Sequence, residues 1–103
     1  MEPVHSSYAA DPDMLEIVRE FALELPGRAD ALERLLASGS LAELSVLAHQ
    51  LKGAGGGYGY APVSELAGAL ERALREGRPR PEIEQRTHEL SKLLRAVVAP
   101  ELP

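Results

Sequence analysis

The sequence predicts an all-α fold, an antiparallel up-down four-helix bundle, on three observations. Leu and Ala dominate while aromatic residues make up 4% of the chain, a balance that favours aliphatic helix packing over sheets. Apolar residues recur at three- and four-residue spacings through successive stretches. Gly- or Pro-marked breaks between these stretches are short, and helices joined by short connections pack as antiparallel neighbours. A length of 103 residues, 45% apolar and 26% charged, suits one compact domain with a single core.

Residues 1–10 carry no periodic pattern and are expected to form a flexible leader to a single domain over 11–99, with 100–103 as a short tail. Asp11 is placed to cap the first helix, with Pro12 at its first position. Met14, Val18, Phe21 and Leu25 then share a face, and Ala29, Leu32, Leu35 and Leu36 continue the same phase up to a stop at Gly39. Pro26 interrupts the run, so this N-terminal helical segment is expected to be kinked or split near Pro26.

Ser40 and Glu43 have the spacing of a capping box, which opens a second helix. Its core stripe is Leu41, Leu44, Leu47 or Ala48, Leu51 and Ala54 or Gly55, with Tyr58 beyond. Pro62 opens a third helix through Val63, Leu66, Ala67, Leu70 and Leu74, ending at Gly77. Arg78-Pro79-Arg80-Pro81 is expected to be a stiff connector. Ile83, Leu90, Leu94 and Val97 mark one face of the last helix, with Thr87 between them, and Pro100 is its expected terminator.

Several function classes are excluded at this point. Without cysteine there is no disulfide framework, thiolate metal site or cysteine nucleophile. A formal net charge of −5 opposes phosphate-backbone binding, so no nucleic-acid partner is expected. No stretch approaches the roughly 18 apolar residues of a membrane span, and the N-terminus lacks a signal-peptide pattern, so no membrane association and a cytoplasmic location are expected. Asp11 and Asp13 read as helix-start charges, and no plausible metal cage is present.

Of the three histidines, His5 falls in the leader and His88 lies off the apolar stripe of the last helix. His49 is different. With Leu44, Ala48 and Leu51 turned inward, it faces outward among Ala42, Ser45, Val46, Lys52, Gly53 and Gly56, at helical spacings. Most of these neighbours are small, so another protein could approach the imidazole closely. No carboxylate stands at a helical spacing that would orient it, which argues against a hydrolase with His49 as general base. Gly53, Gly55, Gly56 and Gly57 would together cost about 3–4 kcal/mol if the helix ran through them. Close helix packing, a helix end at Gly53, or a need for open access to His49 would each account for them. The run fails both the dinucleotide and the P-loop patterns, since Tyr58 breaks the first and Lys52 precedes the glycines.

His49-Gln50-Leu51-Lys52-Gly53, followed by Gly59 and preceded by Ala48, resembles the HxLKGx5G signature of histidine-containing phosphotransfer domains at all of its fixed positions. The layout of residues 11–98 resembles that family as well, and the family's fold is the same four-helix bundle. The resemblance implies a carrier that accepts a phosphoryl group on His49 from a receiver-domain phospho-aspartate and relays it to another receiver aspartate. A neutral imidazole nitrogen is a competent nucleophile for that step, and the resemblance favours Nε2. Lys52 would offset the phosphoryl charge. Gly53, Gly56, Ser45, Val46 and Ala42 would form the access and docking surface, and Gly59 would serve helix packing. Response-regulator receivers and a hybrid histidine kinase are the implied partners, for a monomer with no cofactor of its own. Mg²⁺ would come from the receiver, and no ATP-dependent kinase activity is expected. The competing reading is a degenerate scaffold or interaction module without phosphotransfer. Arginines 72, 75, 78, 80 and 86 read as solvated helix faces with a lesser claim to docking.

Overall fold

The computed structural model describes residues 2–102 as four α-helices. They are α1 (Leu15–Ala37), α2 (Leu41–Gly57), α3 (Ala61–Arg75) and α4 (Arg80–Ala96). The bundle is all-α, as its apolar periodicity requires. Met1 and Pro103, the ends of the expected leader and tail, lie outside the described residues.

The helices pair antiparallel in two seams. Across the first, Asp30 of α1 meets Arg95, Glu33 meets His88, and the Leu36 carbonyl accepts from Arg80, so the numbers fall along α4 as they rise along α1. This last bond satisfies one of the orphan carbonyls at the end of α1. Across the second seam, Gly55 of α2 lies against Val63 and Ser64, Lys52 lies across Gly68, and His49 reaches Glu71. Between the seams Leu25, Leu32, Leu44, Leu51, Leu70, Leu90 and Leu94 are sealed from solvent. Thr87 joins them without an orphaned hydroxyl, since its Oγ1 donates to the Ile83 carbonyl at 2.7 Å.

Several local expectations are corrected. Helix α1 is continuous through Pro26 and is not split there, because that residue lies on the exposed face while Leu25 and Ala29 on either side are buried and hold both halves to the core. It begins at Leu15, three residues after Pro12; Asp11 instead accepts the Asp13 N–H in a preceding turn. The capping box does not form. Ser40 is the N-cap of α2 but makes no side-chain cap bond, its hydroxyl being paired with Ser38 at 2.9 Å. Arg80 and Pro81 belong to α4, with Pro79 as its N-cap, since proline suits a first turn. Leu41, expected in the core stripe, is exposed at the helix start.

The N-terminal segment, expected as a leader, makes hydrogen bonds to the bundle. Val4 pairs in parallel with Val97; its N–H donates to the Ala96 carbonyl and its carbonyl accepts from Val98. That pairing draws Val97 into extended backbone and ends α4 at Ala96, ahead of Pro100. Ser6 is buried and donates to the Tyr58 carbonyl at 2.6 Å, while the Ser7 N–H donates to the Gly59 carbonyl at 2.8 Å. These polar groups find partners on the bundle, so the segment is fastened to it. Periodicity could not reveal this, because single hydrogen bonds leave no repeat.

Candidate functional site

His49 stands halfway along α2, which runs without interruption through Gly53, Gly55, Gly56 and Gly57. The reason lies across the seam. A Cβ on Gly55 would sit 2.9 Å from the Ser64 backbone nitrogen and from Val63 Cγ1, closer than real contacts allow, so glycine lets α2 and α3 approach there. Gly53 has no such cause. A Cβ at that position would meet nothing within 4 Å, so the bundle does not require glycine one turn beyond His49. Gly56 also leaves room, with Ser64 Oγ at 3.6 Å.

The imidazole projects outward with 72% of its side chain exposed. One edge is nevertheless fixed. Nδ1 lies 2.6 Å from Oε2 of Glu71 on α3, and because a carboxylate only accepts, Nδ1 carries the proton and donates it. In the neutral ring this leaves Nε2 as the nitrogen without a proton. Glu71 itself is only 7% exposed. Its other oxygen, Oε1, faces Arg75 at 3.3 Å and Lys52 Nζ at 3.8 Å, so the buried charge is compensated from both sides.

Sequence reasoning missed Glu71. No carboxylate lies at a helical spacing on α2, as read, yet the orienting carboxylate comes from the neighbouring helix. A signal was present: Glu71 falls four residues after Ala67 and eight after Val63, on the apolar stripe of α3, where a charged residue must find a partner.

The remaining predicted residues gather around the ring. Ala42, Val46, Gln50 and Ser45 join His49 and Glu71 around a shallow depression of about 540 Å³. Ala42 and Val46 are exposed and Ser45 half-buried. Lys52 is exposed, its stem passing over Gly68, where an added Cβ would meet it at 3.5 Å. Gly59 stands apart. It occupies the turn between α2 and α3 at φ +82°, and a Cβ there would fall 2.6 Å from Ser7 Oγ and 2.7 Å from Ser6 Oγ. Its surroundings are therefore a left-handed turn and the N-terminal segment, in place of the expected helix packing. Of the arginines, Arg78 and Arg86 bind Glu82 and Arg80 binds Glu84; Arg75 alone of the group contacts Glu71. His88 pairs with Glu33 at 2.8 Å, away from this site.

Among the described residues no group of three His, Asp or Glu side chains converges as a metal would need, and no helix is long and apolar enough to cross a membrane. The arrangement is an exposed imidazole, oriented by a buried carboxylate that two cations also face, with glycine one turn away. No curated protein and no solved structure matches the chain. The family model described as the Hpt domain matches residues 16–100, which span all four helices, the His49–Glu71 pair and both cations. The chain belongs to the Hpt domain family, whose members carry out histidine phosphotransfer in phosphorelays.

Proposed function

We propose that this chain is a phosphoryl carrier that takes the group on Nε2 of His49 from the phospho-aspartate of one receiver domain and delivers it to the aspartate of another. The observation that carries this reading is the 2.6 Å bond from Nδ1 to Glu71, which commits the proton to the inner nitrogen and leaves the outer lone pair free. That lone pair attacks phosphorus in line. As the N–P bond forms, the bond from phosphorus to the aspartyl oxygen breaks, and its electron pair leaves with the carboxylate. The ring becomes cationic and the Glu71 carboxylate, on its N–H, offsets that charge. Delivery is the same path in reverse.

Phosphoryl transfer is mostly positioning and electrostatics. In this reading Lys52 offsets charge on the bound group as a point cation. Ala42, Ser45, Val46, Gly53 and Gly56 form the surface on which the receiver seats, and the receiver brings the Mg²⁺ that neutralises the reacting phosphate. The domain works as a monomeric cosubstrate in the cytoplasm, with a hybrid histidine kinase upstream and no kinase activity of its own. A scaffold without phosphotransfer would leave the buried Glu71 beneath an exposed imidazole unexplained. The test is incubation with a phosphorylated receiver and Mg²⁺, followed by intact-mass measurement at neutral pH. Wild type should gain about 80 Da, the mass of one phosphoryl group, and His49→Gln should gain nothing. Equal uptake by the variant refutes the reading.

A further inference from the structure

Charge is unevenly distributed along the chain. Residues 72–86 hold five of its eleven Lys and Arg side chains but three of its sixteen Asp and Glu. This stretch, the end of α3 and the start of α4, is therefore net positive by two on a chain whose formal charge is −5. Arg75 and Arg80 are engaged with Glu71 and Glu84. The other three arginines stand together: Arg72, Arg78 and Arg86 surround a shallow depression of about 300 Å³ between α3 and α4, whose walls include Ala69 and Ala73. Glu82 holds two of the guanidinium groups in place, accepting from Arg78 Nε at 3.0 Å and from Arg86 Nε at 3.4 Å. The Arg78 hydrogen bond, joined by the charges of Arg78 and Arg86, keeps the Glu82 carboxyl below the usual carboxylate range, so this anchor stays ionised. Because both are bonded through Nε, their terminal nitrogens make no hydrogen bond among the described residues. Arg72 has no hydrogen bond or ion pair among them either.

We propose that this α3–α4 face docks an acidic segment of a partner protein, whose carboxylates are received by Arg72, Arg78 and Arg86. Planar guanidinium forks match carboxylates two bonds at a time. Screening confines a short acidic segment to the field within about 8 Å, where the face is positive. A nucleic acid or an anionic membrane is larger and also meets the acidic remainder of the chain, which repels it. The face shares no wall residue with the depression around His49, so a partner held there leaves the imidazole open to a receiver. Stability supplies no comparable reason for the cluster, since exposed pairs four residues apart on a helix add little to folding.

The test is a ¹⁵N resonance titration of the whole chain with an oligoglutamate peptide, repeated with inorganic phosphate and with single-stranded oligothymidine, beside sedimentation with phosphatidylserine vesicles. The peptide should bind most tightly of the four, shift the amide signals of Arg72, Arg78 and Arg86, and be released by high salt. Arg72→Glu should weaken peptide binding about tenfold, while the fold and phosphoryl uptake from a receiver stay as in wild type. Lys92→Glu makes the same charge change elsewhere on α4 and should weaken it about twofold or less. Equal weakening by the two variants, or shifts centred on Lys52 and Arg75, would overturn the inference. So would absence of peptide binding, or tighter binding of phosphate, oligothymidine or vesicles than of peptide. Each of these outcomes leaves the carrier reading intact.

Discussion

Two motif glycines, Gly53 and Gly59, have opposite physical characters, and substitutions should separate them. Gly53 is helical with open space where a Cβ would go, so Gly53→Ala should stabilise the domain by about 0.5–1 kcal/mol. The bulkier Gly53→Leu should keep the fold and slow transfer from a receiver by roughly tenfold, about 1.4 kcal/mol in the barrier. Gly59→Ala should do the reverse. Its φ of +82° and the serine hydroxyls at 2.6 and 2.7 Å leave no place for a Cβ. It should lose about 1–3 kcal/mol in a urea melt while transfer by the folded fraction persists. Glu71→Gln tests the ring's partner: the amide oxygen can still accept from Nδ1, but the offsetting charge is gone. Transfer should fall by about tenfold, as quench-flow kinetics would show, with the fold retained. His49, Lys52 and Gly53 were legible because they lie three and four residues apart on one helix. Glu71 was not, because its partnership depends on the register between two helices, which a single chain of letters does not print.

At the scale of elements, the seam between α2 and α3 sets that register. Gly55 against Ser64, Lys52 against Gly68 and His49 against Glu71 are successive steps of one antiparallel alignment. Gly55 is the fixed point, since its missing side chain lets the helices approach. Gly55→Ala should therefore destabilise the bundle by about 1–3 kcal/mol in thermal or urea melts, against the helix-propensity gain expected of any Gly→Ala change. The four helices themselves were readable from their apolar stripes, because burial of a face imposes a 3.6-residue period. Helix ends were read less well. Ser40 had a partner in Ser38 that competed with the expected cap, and Val97 was drawn out of α4 by Val4.

The whole molecule is an elongated bundle with extents of 45 × 22 × 20 Å, closed at one end by the N-terminal segment and the chain after α4. Tyr60 ties this end together. It is fully buried, and its hydroxyl donates to the Val98 carbonyl at 2.9 Å. Burial pushes that hydroxyl above its ordinary value of 10.0. The unfolded chain then releases the proton at lower pH than the folded one, so the stability is complete below about pH 10 and declines as pH rises beyond it. Melting temperatures taken across the alkaline range should fall more steeply for wild type than for Tyr60→Phe. The segment that Tyr60 helps to close was invisible to pattern reading, since Val4, Ser6 and Ser7 act through isolated hydrogen bonds.

The proposed carrier chemistry depends on the outer nitrogen of one imidazole. The measurement that tests it most directly is ¹⁵N nuclear magnetic resonance of the domain labelled at histidine, before and after phosphorylation by a receiver. Expected are a proton on Nδ1 of unmodified His49, a phosphorus-coupled signal from its Nε2 afterwards, and no change at His5 or His88. Phosphorylation at Nδ1, or at either other histidine, would contradict it.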